Sequence, residues 1–148
     1  MINLMLQNKR PTICGDGEQK RTFSDIEDCI YCLDKLLLDS NIKSEIINIG
    51  PDEEFISINA LYQILSNRLG FNQKPIYTED RLNEVRHATR SADKARKMLN
   101  YKTRVSLDKS LYKLINFIKI NGPKNFEYNY NIEINNEKTL KTWTEKLF

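Results

Sequence analysis

Four sets of residues have the type and spacing for chemistry. Cys29-Ile30-Tyr31-Cys32 has the C-x-x-C spacing of half a zinc site or of a redox pair. A structural zinc needs four ligands and the sequence holds no second pair, so no metal ligands are expected. A redox pair wants its thiolate at a helix N-terminus. This pair falls inside a helical pattern with Cys29 on the apolar side, so its expected role is packing. Tyr31 and Lys35 lie one helical turn apart, where an ammonium can lower a phenol pKa for acid–base work. With seven Tyr and many Lys in the sequence one such spacing is expected by chance, so the pair is read as coincidental and no catalytic residue is assigned. His87 is the single histidine, with no second ligand near it in sequence, and reads as a surface or hydrogen-bonding residue. Arg21 and Arg81 each flank a turn beside an extended run. Two guanidinium groups converging on a diphosphate would grip it bidentately, although spacing alone favours solvated surface arginines.

The elements that must position these residues are short and mixed. Thr12-Ile13-Cys14 reads as a strand ended by Gly15-Asp16-Gly17, with residues 21–24 able to return as a second strand. From Asp25 to about Asp39, apolar residues at 26, 29, 30, 33 and 37 predict a helix with that face buried, capped by Asp25 or Asp28. Residues 46–49 read as a strand stopped by Gly50-Pro51. Ser57 caps a predicted helix with Ile58, Leu61, Tyr62, Leu65 and Leu69 inward and Gly70 closing it. Residues 75–77 are extended, Ser91 caps a short helix ending near Asn100, and Ser106 caps another with Leu107, Leu111, Leu114, Ile115 and Ile118 inward. Phe126, Tyr128, Tyr130, Ile132 and Ile134 alternate with polar residues, the period of a half-buried strand or extended arm. The class is mixed α/β.

Composition narrows the partners. The 148 residues carry 23 basic and 20 acidic side chains in no single-sign block, a net charge of +3. That permits anion binding but does not suggest nucleic acid. Three cysteines, at 14, 29 and 32, point to a reducing compartment and, with no signal peptide or apolar run of about 20 residues, to the cytoplasm and no membrane. Five glycines, at 15, 17, 50, 70 and 122, form no G-x-G-x-x-G loop, so the chain by itself is not expected to bind a dinucleotide.

Two segments nevertheless resemble a known family. Ile13-Cys14-Gly15-Asp16-Gly17-Glu18-Gln19-Lys20-Arg21-Thr22-Phe23, followed by Ile26-Glu27-Asp28, is similar to the G-D-G-x-Q-x-R-x-F…V-x-D stretch of extended short-chain dehydrogenase/reductases, the NAD-dependent epimerase/dehydratase family. The run Arg81-Leu82-Asn83-Glu84-Val85 through Asp93-Lys94-Ala95-Arg96 resembles the family's R-P-G-E-V…D-x-x-K-A-R, and residues 47–50 match its N-I-G. The three agree in order and spacing over roughly residues 1–120. The resemblance implies that Arg21 and Arg81 grip a nucleotide diphosphate, that Glu84 lies near the ribose, and that Gln19 lies beside the same site. Leu82-Asn83 departs from the family's Pro-Gly, but Asn tolerates a left-handed backbone, so the turn is expected to survive.

The family's Gly-rich NAD loop and catalytic Ser, Tyr and Lys lie in an amino-terminal half that finds no counterpart here. The expectation is therefore the partial substrate-binding region of such an enzyme, Rossmann core missing. Residues 1–120 would form the carboxy-terminal sugar-nucleotide-binding region, and residues 121–148 an extended arm. The activity implied for the complete enzyme is 4-epimerisation of a UDP-hexose, of the UDP-glucose type: NAD oxidises a sugar hydroxyl and returns hydride to the other face. The expected ligand is a nucleotide sugar, and the chain alone should be inactive. The helix after V-x-D would then lack part of its cover at Ile26, Cys29, Ile30 and Leu33, with association as the consequence. The alternative is a non-catalytic interaction module, or a split-enzyme subunit needing a partner chain with the NAD-binding half, or a homo-oligomer, with the arm at 126–134 pairing as a strand or wrapping back on its own chain.

Overall fold

The computed structural model describes every residue except 40, 52–54, 82, 89–90, 130–134 and 147–148. Among the described residues the elements run α1 (Ile2–Leu6), β1 (Thr12–Cys14), β2 (Lys20–Arg21), α2 (Ile26–Leu38), β3 (Ile56–Ser57), α3 (Ile58–Leu69), β4 (Ile76–Thr78), α4 (Asp93–Leu99), α5 (Leu107–Asn121) and α6 (Lys141–Thr144). The class is mixed α/β. The chain divides into two compact units, one of Met1–Gln19, Ser57–Arg86 and Ile115–Phe148, the other of Lys20–Ile56 and His87–Leu114.

In the first unit β1 and β4 pair in parallel, with Thr12 opposite Ile76, Ile13 opposite Tyr77 and Cys14 opposite Thr78. Parallel neighbours require a long crossover, and α3 lies within it, packed against α1. The Ser57 hydroxyl accepts from the Ala60 amide at 3.1 Å, and Gly70, at φ +63°, ends the helix in the left-handed conformation. Ile2, Met5, Ile13, Leu65, Phe71 and Ile115 are buried here. The arm begins where Asn3 holds Lys124 twice, its Nδ2 donating to the carbonyl at 2.6 Å and its Oδ1 accepting from the amide at 3.1 Å. Phe126 and Tyr128 then meet Trp143 edge-to-face at 6.1 and 6.4 Å. This part of the arm wraps back on its own chain, with residues 126 and 128 on one side as a period of two requires. Residues 126–129 form no strand, and 130–134 lie outside the described residues. Neither α1 nor α6 was expected, because each is too short to show a period.

In the second unit Asp25 caps α2, its carboxylate accepting from the Glu27 amide at 3.0 Å. The core is Cys32, Ala92, Ala95, Leu99 and Tyr101, with Tyr31, Leu36, Ile47 and Ile49 packed against it. Three expectations are corrected. The covered side of α2 carries Asp28 and Cys32, while Ile26, Ile30, Leu33 and Leu37 are exposed, Leu37 by 84%. Periodicity shows which residues favour burial, not whether a second layer is there to bury them, and the exposure of Ile26, Ile30 and Leu33 agrees with the lack of cover that the resemblance implied. Residues 46–49 form no strand: Ile47 and Ile49 do pack inward and Ile46 outward, but no neighbouring strand completes a ladder among the described residues. The return strand is only Lys20–Arg21, and it pairs with β3 rather than folding back on β1. Gly15 and Gly17, both at positive φ, redirect the chain first.

Candidate functional site

Parallel pairing sends both strands out of the same end of the two-stranded sheet, the end at which open α/β sheets receive ligands. Two loops emerge there. The first follows β1, where the Gly15 amide still donates to the Thr78 carbonyl at 2.9 Å before the chain turns. A Cβ on Gly15 would overlap the carboxylate of Asp80, and one on Gly17 the side-chain amide of Asn59. With φ at +69° and +75°, both positions call for glycine. Asn59, on α3, fixes this loop by donating to the Asp16 carbonyl at 2.8 Å and to Glu18 Oε1 at 2.6 Å, while Tyr77 donates to its Oδ1 at 2.9 Å. Gln19 Nε2 donates to the Cys14 carbonyl at 3.0 Å. The second loop follows β4. Its turn is closed by the Glu84 amide donating to the Arg81 carbonyl at 3.2 Å, with Asn83 left-handed at φ +60°. The expected tolerance of Asn at this turn is met, whereas Leu82 lies outside the described residues.

Between the loops is a cavity of about 180 Å³ lined by Asp16, Gln19, Asp80, Arg81, Asn83, Glu84 and Arg86. Three of the four expected site residues, Gln19, Arg81 and Glu84, therefore line one space. Arg81 Nε is buried and has no hydrogen-bond partner among the described residues. A desolvated guanidinium nitrogen without an acceptor is costly. Arg86, by contrast, is paired with the Asp16 carboxylate. The amide of Glu18 and then this guanidinium hold the Asp16 carboxyl below its usual range, and Asp16 raises Arg86 in turn. Arg21, the fourth expected residue, belongs to the other unit, on β2, with Nη1 donating to the Lys20 carbonyl at 2.8 Å. Asp16, Asn59, Asp80 and Arg86 were not identified from sequence. Asn59 and Arg86 carry no local pattern of their own, and Asp80 is marked only by the glycine it faces across the fold.

The other chemical candidates resolve as packing. Cys32 is fully buried and unpaired, and burial raises its thiol pKa, the reverse of a reactive thiolate. It is Cys32, not Cys29, that enters the core. The Tyr31 hydroxyl donates to the Leu99 carbonyl at 3.2 Å and its ring carries the Arg104 guanidinium at 3.6 Å, so Tyr31 braces α2. His87 is exposed and forms a bridge with Lys20. No group of three or more His, Cys, Asp or Glu able to hold a metal occurs among the described residues, and no helix there is long and apolar enough to cross a membrane.

The family model of the NAD dependent epimerase/dehydratase family matches residues 1–50. A UDP-glucuronate 4-epimerase of Thermodesulfobacterium geofontis is 31% identical over 120 residues, covering 81% of this chain and 36% of the relative. A Methanocaldococcus jannaschii protein, provisionally named UDP-glucose 4-epimerase, is 34% identical over 121 residues, covering 82% of this chain and 38% of its own length. The chain belongs to the NAD dependent epimerase/dehydratase family. The crystal structure of the Bacillus cereus UDP-glucuronic acid 4-epimerase in complex with UDP-glucuronic acid and NAD superposes with a TM-score of 0.76 at 33% identity, over 82% of this chain and 38% of that one. The Thermotoga maritima UDP-glucose 4-epimerase matches with the same TM-score at 24% identity, a likeness of fold alone. The chain thus spans less than two fifths of the curated relatives it matches. The positions a Cβ would take at Gly15 and Gly17 are filled by Asp80 and Asn59, so both glycines serve close packing within the fold.

Proposed function

We propose that this chain supplies the nucleotide-diphosphate grip of a UDP-sugar 4-epimerase-like enzyme, with Arg81 as the principal ligand of the diphosphate. Arg81 carries this reading: it lines one cavity with Gln19 and Glu84, and its Nε has no hydrogen-bond partner among the described residues. A guanidinium can donate two parallel hydrogen bonds to a phosphate. Glu84 would accept from a ribose hydroxyl and Gln19 would steady the loop between them. Arg21 would be the second diphosphate ligand. Residues 1–120 would be the sugar-nucleotide-binding region and 121–148 the arm. Holding the diphosphate fixes the sugar relative to the reacting centre, so binding far from the chemistry lowers its barrier. The nicotinamide cofactor of the complete enzyme would be held by residues other than these, and a cytoplasmic setting suits three unpaired thiols.

Calorimetric titration with UDP tests the assignment. Saturable binding is expected, weakened about 10–100-fold in Arg81→Ala, the loss of one or two hydrogen bonds to a charged group. A folded chain that binds no UDP, or an Arg81→Ala variant that binds it equally well, sinks the proposal. The exposed apolar side of α2 favours a second reading, an interaction module or split-enzyme subunit whose partner covers that helix. Co-purification with an NAD-binding chain tests it.

A further inference from the structure

Charge is divided unequally between the two ends of the β1–β4 sheet, and the whole pattern lies within the first unit. Past the carboxyl ends of the strands, residues 15–19 and 79–86 hold five carboxylates against two guanidinium groups. The opposite end is built from residues 7–10 before β1, residues 72–75 before β4 and residues 122–125 after α5. Those segments hold Lys9, Arg10, Lys74 and Lys124 and no carboxylate. All four cations are exposed. Hydrogen bonds fix the three segments beside one another. Arg10 Nε donates to the Lys74 carbonyl at 2.7 Å and its Nη2 to the Pro75 carbonyl at 3.1 Å. Gln73 Nε2 donates to Asn8 Oδ1 at 2.8 Å. Lys9 Nζ donates to Asn125 Oδ1 at 3.0 Å, and Asn3 holds the backbone of Lys124. The partners of Lys9 and Arg10 are neutral oxygens, and none of the four cations is in an ion pair among the described residues.

From this arrangement we infer that the amino-terminal end of the sheet is an interaction surface for an acidic polypeptide segment of a partner protein. The inference is independent of the reading of Arg81 above. Like charges held on adjoining segments repel one another, and an anionic partner relieves that repulsion. Three features select a polypeptide among anions. The Nε–Nη2 edge of Arg10, the fork that grips phosphate bidentately, is already occupied by two carbonyls. The other cations are lysines, compact charges on flexible stems that can follow carboxylates at varied positions. The three segments carry no aromatic side chain on which a nucleic-acid base could stack, and no large apolar side chain to enter a lipid surface. The hydrogen bonds among the segments hold the charges in place before a partner arrives, which lowers the cost of ordering them on binding.

Fluorescence anisotropy of a short labelled poly-L-glutamate, titrated with the full chain, tests the surface. Saturable binding is expected, weakened by added salt. Lys9→Gln/Lys74→Gln/Lys124→Gln should weaken it at least about tenfold. The melting temperature of that variant should not fall, because all three lysines are exposed. Lys97→Gln/Lys102→Gln/Lys109→Gln removes the same charge from exposed positions of the second unit and should leave binding unchanged. Calorimetry with UDP should give the same result for the first triple variant as for the parent chain, which separates this surface from the diphosphate site. No binding of poly-L-glutamate by a folded chain overturns the inference. Equal weakening by the two triple variants also overturns it, since net charge alone would then account for the binding. Tighter binding of single-stranded DNA or of phosphatidylserine vesicles than of poly-L-glutamate overturns the choice of an acidic polypeptide, and with it the proposal.

Discussion

At Gly15 and Gly17 two independent constraints coincide, a left-handed backbone and a side chain occupying the place of Cβ. Gly15→Ala is therefore expected to destabilise the chain by about 1–2 kcal/mol from conformation alone, with more from collision with Asp80, some of it relieved in Gly15→Ala/Asp80→Ala. Urea unfolding of the two variants measures this, and an unchanged midpoint in Gly15→Ala would show that the loop relaxes freely. Asp16 acts on the same loop through charge. Its carboxyl sits below its usual range because the Glu18 amide, and then Arg86, favour the ionised form. A depressed folded pKa gives stability that is present above the ordinary carboxylate pKa and lost as pH falls through the folded value. The loop should therefore loosen below about pH 4. The group is fully exposed, so the effect should be small and suppressed by salt. Residue type was legible in sequence at Gln19, Arg81 and Glu84 through motif spacing. Asn59 and Asp80 became visible only where the chain crosses back on itself.

Among the elements, α2 shows most clearly how far local pattern reaches. Its limits follow from Asp25 at one end and loss of periodicity at the other, and the structure places Ile26–Leu38 within the expected span. Asp25 does more than cap, because Oδ2 also accepts from the Ser110 hydroxyl at 2.7 Å and lies 3.6 Å from Lys113 Nζ. Asp25→Ala is expected to cost about 1–2 kcal/mol, at the upper end for a cap. Asp25→Asn should keep the cap but remove the charge. The Ser110 hydroxyl, then the Glu27 amide, hold the Asp25 carboxyl below its usual range. By the same sign as for Asp16, its contribution is present at neutral pH and fades in acid. The urea midpoint of Asp25→Asn should vary less with pH than that of the parent chain, and identical profiles would remove Asp25 from the acid response. The exposure of Ile26, Ile30 and Leu33 agrees with the lack of cover that the family resemblance implied, whereas the burial of Asp28 and Cys32 was not legible. Asp28, fully buried, has no apolar character to announce it; its Oδ1 accepts from the Arg104 amide at 3.0 Å, while its Oδ2 has no hydrogen-bond partner among the described residues.

For the molecule as a whole, Ile26, Ile30, Leu33 and Leu37 form an exposed apolar row, a surface that favours association. Light scattering at rising concentration should show self-association, and Ile30→Lys/Leu37→Lys should abolish it without lowering the melting temperature, because neither side chain is buried. A parent chain that stays monomeric at high concentration would contradict this.

The sequence by itself determined the mixed class, the caps and limits of α2 and α3, the strand at 12–14 and the family motifs, since these depend on neighbours a few residues apart. Only the tertiary structure decided that β1 pairs with β4, that residues 46–49 lack a ladder partner among the described residues, that Cys32 and Asp28 are the covered residues of α2, and that Arg81 lines a cavity with Gln19 and Glu84. The physical reason is the same in each case. Pairing, burial and desolvation belong to groups brought together from distant parts of the chain, and local periodicity records a residue's preference without naming its partner.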